Sequence, residues 1–439
     1  MLIGLLVLLT CIIWIIIGTS YFKIHPFLVL LSASIFLAIF IGIPINQIGP
    51  ILGKGFGKTF ESIGLLIIFG TIIGVILEKS NGTHTIALKI LKLLFILPAP
   101  FIVSLIGYIV SIPVFCDSAF IILNSLNKSI SNQTKTPIVS LTVALSTGLF
   151  APHVLIPPTP GPLAAAANLE LESLFLLIIF GGVIGLILVL VGATFSYYLS
   201  KKYTYKTNKI NFENNLENNL ENNPPFLPSI IPIIIPIIFM SLGTIGGDMT
   251  SELIQFISQP SIALLFGMIS SFYLLKYIKN ISFYKIIEKS IIIAAPILLI
   301  TSIGGSIGLI VESLNIKTLV KSFEINSNFG ILIPFIIASV MKSAQGSSTV
   351  SIITTSAIIF PLLPLLQLDS EIGKVWAILS LGCGSMTVSH VNDSYFWVVS
   401  QFGQLDVKTA YKTHTLGTLI QGLSGLILIL IGFNIWKIL

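Results

Sequence analysis

Four short polar clusters interrupt an otherwise apolar sequence, and each holds side chains able to bind an anion or carry a proton. The first cluster is PVFCDSAF, Pro113–Phe120, with Asp117 at its centre and Ser118 beside it. An ionisable residue within a membrane-like segment is costly, so it usually serves a function. We therefore predict that Asp117 binds substrate or takes up a proton, and that Ser118 contributes a hydroxyl. The alternative is that Asp117 caps the helix that follows Pro113.

The second cluster, LSTGLFAPHVLIPPTPGPLAAAAN over Leu145–Asn168, contains five prolines. Proline ends or kinks a helix, and broken backbone at membrane depth is tolerated only where protein or a water-filled cavity covers it. In transporters such breaks bind the substrate. A helix starting after Pro162 would direct its N-terminal N–H groups at an anion. We predict that His153, Thr159 and Gly161 contact substrate and that His153 carries a proton. A buried, hydrogen-bonded histidine is the alternative.

The third cluster is KSAQGSSTVSIITTS, Lys342–Ser356. It combines a positive charge with amide and hydroxyl donors around a glycine, which suits a polyhydroxylated carboxylate. The alternative is close helix packing, for which membrane proteins often use small residues. The predicted substrate ligands in this cluster are Lys342, Gln345, Gly346, Ser347, Ser348 and Thr349.

The fourth cluster is GCGSMTVSHVNDSYFW, Gly382–Trp397. Two ionisable residues, His390 and Asp393, end an apolar run there, beside Asn392 and Ser394. We predict that Asn392 and Ser394 bind substrate, with a solvent-facing turn as the alternative. The predicted proton-coupling residues of the whole chain are Asp117, His153, His390 and Asp393.

The composition places these clusters in a membrane. Of 439 residues, 54% are hydrophobic and only 9% are charged, with a mean hydropathy of +1.01. A soluble domain carries roughly a quarter charged residues. Apolar runs near the ~20 residues that span a bilayer recur along the chain, and the first, Met1–Tyr21, lacks the features of a cleaved signal peptide. The predicted fold is an all-α polytopic membrane protein of about 12 helices with broken or re-entrant segments.

The charged residues limit what can hold an anion. All 23 positively charged residues are lysines, so no guanidinium fork is available to clamp a carboxylate. The lysines lie mainly between apolar segments, and the net charge of +6 gives no reason to expect a nucleic-acid partner. The three cysteines show neither metal-site nor disulfide spacing.

An internal repeat relates the two halves of the chain. GTIIGVILE, Gly70–Glu78, matches GGSIGLIVE, Gly304–Glu312, at an offset of 234 residues. We predict a first transmembrane repeat over 1–205, a polar cytoplasmic linker over 201–228 and a second repeat over 229–439. Chance similarity between apolar runs is the alternative.

Lysine placement predicts that the two repeats are inverted. Lysine-rich segments mark the cytoplasmic side, and equivalent helices then run in opposite directions. Predicted helices are 1–22, 26–43, 62–78, 93–112, 136–150, 174–200, 229–245, 260–276, 289–311, 330–342, 348–365, 375–388 and 415–437. The predicted breaks are 113–127, 151–168, 342–349 and 389–402.

The sequence contains no complete motif of the enzyme classes considered below. GKGFGKT, Gly53–Thr59, resembles a phosphate-binding loop, but three residues separate Gly53 from Gly57 where that loop requires four. No metalloprotease, hydrolase or dinucleotide-binding pattern is present in the sequence. We therefore predict a chain that is not an enzyme and that needs neither cofactor nor metal.

Taken together, the clusters resemble the gluconate permease family, which includes sugar-acid and D-serine transporters. The matching motifs are GFGKTFESIGLL (55–66), FCDSAF (115–120), PPTPGPLAAA (157–166), AQGSSTVS (344–351) and SHVNDSYFW (389–397). The resemblance implies a multi-pass carrier of the cytoplasmic (inner) membrane. It would import a small hydroxy-carboxylate, such as a gluconate-like sugar acid, by proton symport.

Two positions depart from the family pattern, which usually has histidine where Thr159 stands and arginine near Lys342. The substrate expected from the resemblance is therefore open. The alternatives are a carrier for another organic or amino acid such as D-serine, coupling to Na⁺, an antiporter and, from another class, a membrane-embedded enzyme. The expected partners are the anionic substrate, H⁺ and the lipid bilayer, with a homo-oligomer left open.

Overall fold

The computed structural model describes residues 7, 10, 11, 13–15, 17, 18, 21–94, 96–205, 223–246, 251–278, 281–312, 330–390 and 393–438. Over these residues the chain forms helices and no strand. Five helices are long and apolar enough to cross a membrane, and a sixth span is formed if two segments bent by 44° are counted as one. The prediction of an all-α polytopic membrane protein is therefore confirmed. Most of the predicted helix 1–22 and of the linker 201–228 lies outside the described residues.

From Pro26 onwards, the described part of the first half contains eight helices. They are α1 (Pro26–Phe40), α2 (Ile45–Lys79), α3 (Gly82–Leu93), α4 (Ala99–Ser111), α5 (Cys116–Thr134), α6 (Ile138–Leu155), α7 (Pro160–Asn168) and α8 (Leu174–Lys202).

The second half contains ten described helices, among them short ones. They are α9 (Phe226–Gly246), α10 (Glu252–Ser258), α11 (Pro260–Ser271), α12 (Phe283–Glu312), α13 (Leu332–Gln345), α14 (Ser348–Ile359), α15 (Glu371–Met386), α16 (Ser394–Phe402), α17 (Val407–Ala410) and α18 (Leu416–Ile438). Tight 3₁₀ turns follow α11 (Phe272–Tyr277) and α14 (Phe360–Leu362), and a π-helical turn, Tyr411–Thr415, joins α17 to α18.

Helices α2 and α12 pack along each other in opposite directions. The Ser306 hydroxyl donates a hydrogen bond to the Leu52 carbonyl at 2.8 Å. Towards the other end of the pair, Lys289 Nζ lies 3.3 Å from Glu78 Oε1. Contact positions therefore rise along α2 as they fall along α12. Gly55 permits the close approach, because a Cβ at this position would lie 2.7 Å from Ser306 Cα.

Two helix hairpins enter the interior. In the first, α4 lies parallel to α6, since the Ser104 hydroxyl donates to the Ala144 carbonyl and Gly107 abuts Gly148. Because α6 begins just after α5 ends, α5 returns to the side on which α4 began. In the second, α13 lies parallel to α15, since the Ser380 hydroxyl donates to the Ile331 carbonyl at 2.6 Å and, further along both helices, the Ser339 hydroxyl donates to the Gly384 carbonyl at 3.2 Å. Helix α14 then returns.

Helix bounds recur at the offset of 234 residues. Shifting α7 (160–168) by 234 gives 394–402, the bounds of α16. The same shift takes α6 to 372–389, against 371–386 for α15, and α4 to 333–345, against 332–345 for α13. These bounds support the repeat. The repeat, its inversion and its division at residues 201–228 stay predictions.

Several predicted bounds are wrong. Helix 62–78 begins at Ile45 instead, because Gly55, a poor helix former alone, packs closely against α12. The predicted helix 93–112 begins only at Ala99, after Pro98, and residue 93 is the last residue of the preceding helix. The predicted break 113–127 is helical from Cys116, and α7 starts at Pro160 and not after Pro162, because proline is tolerated in a first turn. The remaining spans differ by a few residues.

Candidate functional site

Four short interruptions separate the paired helices. Break 1 lies between α4 and α5, break 2 between α6 and α7, break 3 between α13 and α14, and break 4 between α15 and α16. Their residues are 112–115, 156–159, 346–347 and 387–393, with 391 and 392 outside the described part of break 4. They are shorter than the predicted breaks, but each lies within one of the four polar clusters.

Break 1 meets breaks 2 and 4. The rings of Phe115 and His153 are 6.1 Å apart, which joins break 1 to the end of α6. Along α5, Phe120 packs against Tyr395 of α16 with ring centroids 6.3 Å apart. Clusters one, two and four, distant in sequence, therefore lie side by side.

Break 3 meets breaks 2 and 4. The first turn of α7 rests on α14, where a Cβ at Gly161 would lie 3.0 Å from Ile352 Cδ1. The ring nitrogen Nε2 of His390 lies 3.0 Å from the Ser343 carbonyl oxygen. The four breaks therefore form one closed group in the interior.

A buried ion pair joins breaks 3 and 4. Lys342 Nζ lies 2.5 Å from Asp393 Oδ2, and the two side chains are only 1% and 3% exposed. Asp393 also accepts the Ser389 hydroxyl at 2.5 Å and, as N-cap of α16, the Tyr395 N–H at 3.1 Å. A buried charge is tolerated only when it is paired and hydrogen-bonded. The pair can therefore rearrange only if another charge takes the place of a partner.

A hydrogen-bonded chain extends from this pair to His414. The Ser389 hydroxyl that donates to Asp393 also lies 3.1 Å from His414 Nε2, and His414 Nδ1 lies 3.1 Å from the Ser146 hydroxyl. His414 is fully buried in the π-helical turn before α18. Such turns are frequent at functional sites. His414 was not among the residues predicted from the sequence. No motif around it indicates the π-helical turn or the hydrogen-bond partners of its ring.

Asp117 and His153 lie close enough to the Lys342–Asp393 pair for the charges of the pair to act on them. Asp117 is in the first turn of α5, whose N-cap is Phe115, so the alternative that it caps this helix is wrong. In the part of the chain that the structure describes, Asp117 Oδ1 and His153 Nδ1 are buried with no hydrogen-bond partner. Buried polar atoms of this kind call for an explanation, and a ligand or proton is one.

The other predicted ligands occupy varied positions. Thr159 donates its hydroxyl to the Ile156 carbonyl at 2.5 Å, and Ser347 caps α14 by accepting the Val350 N–H. Gly346 adopts a left-handed conformation at φ +75° and accepts from Lys342 Nζ at 3.4 Å. Ser394 is exposed.

Ser348 is buried, whereas Ser118 and Thr349 are half-buried. The side chain of Gln345 and all of Asn392 lie outside the described residues. The structure therefore brings Asp117, His153, Lys342 and Asp393 together. Their roles and those of the other predicted ligands stay predictions.

Gly74 of α2 allows break 1 to pack closely against this helix, because a Cβ at position 74 would lie 2.5 Å from the Pro113 carbonyl oxygen. We expect Gly74→Ala to displace this break, at a cost of about 1–3 kcal/mol typical of overpacking. Uptake and the thermal unfolding temperature of the purified protein should both fall. The matched control is Gly57→Ala on the same helix, where nothing lies within 4 Å and both quantities should be kept. Equal behaviour of the two variants would contradict this packing.

Comparison with known proteins agrees with the sequence motifs. The family model described as "GntP family permease" matches residues 3–435. The chain is 27% identical to a "Gluconate permease" of Pseudomonas aeruginosa, covering 96% of both chains. It is 28% identical to the "D-serine transporter DsdX" of Escherichia coli strain K12, covering 94% of both.

A solved structure shares the fold. The YdaH transporter of Alcanivorax borkumensis, described as having an unusual topology, superposes with a TM-score of 0.64. The match covers 94% of this chain and 99% of that one at 12% identity. The relatives are permeases and transporters, so the predictions of a transport protein and against an enzyme are confirmed. On this evidence the chain belongs to the GntP permease family, as the resemblance implied.

Proposed function

We propose that the protein is a secondary active transporter that imports a small hydroxy-carboxylate by proton symport across the cytoplasmic membrane. The observation that carries this proposal is the buried Lys342–Asp393 pair at the meeting point of four helix breaks. A lysine held by a carboxylate of the protein can exchange that carboxylate for one on a substrate.

Helix ends favour an anion at the same place. Helices α5, α7, α14 and α16 all begin at the breaks, so four positive dipole ends converge near Lys342. Asp117 and Asp393 offset part of this charge, and both could be neutralised by a proton. The site therefore suits a carboxylate that arrives together with H⁺.

Hydroxyl recognition is available beside the charge. Ser118, Ser347, Ser348 and Thr349 flank breaks 1 and 3, and their hydroxyls can donate or accept. The compounds named for the relatives, gluconate and D-serine, both carry a carboxylate and at least one hydroxyl. We infer that the substrate shares these two groups, with a gluconate-like acid as the first candidate and D-serine as the second.

Proton coupling is supported by titratable groups in contact with the ion pair. Asp393 lies between Lys342 and the Ser389 hydroxyl, which leads to His414. A proton on Asp393 would release Lys342 to the substrate, and a proton on His414 could reach Asp393 through Ser389. Substrate and proton would then occupy the site together.

The inverted repeat would supply alternating access. Equivalent helices of an inverted repeat run in opposite directions, and the antiparallel packing of α2 and α12, which correspond at the 234 offset, supports this arrangement. The two hairpins, α4–α5 and α13–α14, would enter from opposite sides and meet at the site. Movement of one repeat unit against the other could then expose the site to each side in turn.

The orientation can be tested with two cysteines. With the buried native cysteines replaced by alanine, we expect an impermeant thiol reagent on intact cells to label Lys54→Cys and to spare Lys285→Cys. Both positions are exposed, but they lie near the N-terminal ends of antiparallel helices. Permeabilised cells should show labelling of both. Labelling of both cysteines in intact cells would contradict the inverted orientation.

The substrate class and coupling ion can be tested by uptake. We expect cells producing the protein to accumulate labelled D-gluconate or D-serine, and uptake to rise as external pH falls from about 8 to about 6, because a larger inward proton gradient drives symport. A protonophore should collapse the accumulation. Uptake that ignores pH and protonophore but requires Na⁺ would replace the proton by sodium. Uptake of neither compound would redirect the search to other carboxylates.

A further inference from the structure

A cavity of about 340 Å³ lies between α2, α12 and the C-terminal end of α7. Its volume falls within the roughly 300–1,000 Å³ typical of small-molecule sites. Asn168 is the last residue of α7, about 12 Å along the helix from Pro160 and break 2. We call this cavity the Asn168 vestibule. It lies one short helix away from the Lys342–Asp393 pair.

Asn168 lines the vestibule and carries a buried acceptor that is not used within the protein. The residue is 5% exposed, and its Nδ2 donates to the Ile353 carbonyl at 3.1 Å and to the Ser356 hydroxyl at 2.9 Å. Because a carbonyl oxygen can only accept, the nitrogen must face Ile353, which fixes the amide orientation. Among the described residues nothing donates to Asn168 Oδ1. A buried acceptor left in this way is suited to a hydroxyl or N–H of a ligand.

An exposed ion pair lines the vestibule. Lys58 Nζ of α2 lies 2.5 Å from Glu170 Oε1, and the two side chains are 63% and 49% exposed. An exposed pair adds little stability, so it can open. Glu170 is held in place from the other side, since Lys374 Nζ donates to its backbone carbonyl at 2.7 Å. Lys58 can therefore exchange the Glu170 carboxylate for that of a ligand.

We propose that the Asn168 vestibule is a second binding subsite, where the transported hydroxy acid docks before it reaches the four breaks. Lys58 pairs with its carboxylate, and Asn168 Oδ1 accepts a hydrogen bond from its hydroxyl. This inference rests on the proposed function for the identity of the ligand. The vestibule is lined by the N-terminal half of α2, and the Glu78–Lys289 pair lies at the C-terminal end of that helix. Lysine placement assigns the pair to the cytoplasm, so the vestibule serves the external face.

Thiol modification tests the subsite directly. Ser62 lines the vestibule and is exposed. In protein with alanine in place of its native cysteines, we expect Ser62→Cys to react several-fold faster with a negatively charged sulfonate reagent than with a positively charged ammonium reagent. Lys58→Gln should remove this preference. Equal rates for the two reagents with Lys58 present would overturn the proposal.

Ligand protection gives the second measurement. D-gluconate and D-serine are the probes, and the one that the protein transports should slow modification of Ser62→Cys several-fold. Asn168→Leu should remove this protection while the charge preference stays. The control is Gly57→Cys, exposed on the same helix but outside the vestibule, which the probes should not protect.

The outcomes separate this subsite from the proposed function. Transport of a probe without protection of Ser62→Cys overturns the vestibule and leaves the transporter proposal standing. A charge preference that depends on Lys58, with no transport of either probe, supports an anion subsite and counts against the substrate class. Because Lys58 is exposed, Lys58→Gln is expected to fold even if Asn168→Leu does not.

Discussion

Neutralising either member of the Lys342–Asp393 pair should abolish uptake. In Lys342→Gln or Asp393→Asn the remaining charge is buried without its partner, which lowers the free energy of unfolding by about 3–5 kcal/mol. That loss changes the ratio of folded to unfolded protein by at least roughly two orders of magnitude. We expect uptake to disappear and the thermal unfolding temperature to fall in each single variant. Initial uptake rates and thermal unfolding of the purified proteins provide the two measurements.

The double variant separates structure from function. Lys342→Gln combined with Asp393→Asn leaves no unpaired charge, so its unfolding temperature should recover towards that of the wild type. Uptake should stay absent, because no ammonium remains for the substrate carboxylate. Recovery of uptake in the double variant would mean that the pair is structural only. Lys289→Gln is the control, since Lys289 is 43% exposed and Glu78 keeps a second partner in Lys79.

Replacing His414 should uncouple transport from the proton gradient. His414→Gln keeps a polar side chain between the Ser146 and Ser389 hydroxyls but cannot carry a proton. The titratable and charged groups around it are Tyr395, with ring centroids 5.5 Å apart, and the Lys342–Asp393 pair within electrostatic range. We expect loss of accumulation and of the rise in uptake between external pH of about 8 and 6. Exchange of internal for external substrate should remain, since exchange moves no net proton.

Two other histidines provide comparisons for the His414→Gln variant. His25 is exposed at the N-terminus of α1, so His25→Gln should accumulate substrate normally. His390, predicted from the sequence to couple protons, is half-buried with Nε2 on the Ser343 carbonyl, so His390→Gln tests that prediction beside His414. Wild-type accumulation and pH dependence in His414→Gln would remove His414 from the proton path.

The sequence singled out four side chains that the structure brings together, but it predicted the bounds of several helices wrongly. Proline, glycine and isolated charges within apolar runs mark broken backbone, so Asp117, His153, Lys342 and Asp393 could be selected before the structure was known. Their convergence could not be derived in the same way. The Lys342–Asp393 contact spans 51 residues and depends on the packing of α13 against α15.

Predictions from local helix propensity were wrong where tertiary packing determines the structure. The glycines at 53, 55 and 57 argue against a helix, yet α2 runs through them because Gly55 lets α12 approach. Asp117 reads as a helix cap after a proline, but Phe115 occupies that position. His414 stands in a run with no chemical motif, and only the π-helical turn places both of its ring nitrogens on buried hydroxyls.

Uphill transport by the purified protein in sealed liposomes tests the central claim most directly. Liposomes with an alkaline interior and an acidic exterior, with no Na⁺ present, are given labelled D-gluconate or D-serine while a trapped dye reports internal pH. The account predicts accumulation of one compound above its external concentration, with internal acidification that requires substrate. It also predicts that Asp393→Asn shows neither. Accumulation without proton entry, or no concentrative uptake until Na⁺ is added, would contradict proton symport through this site.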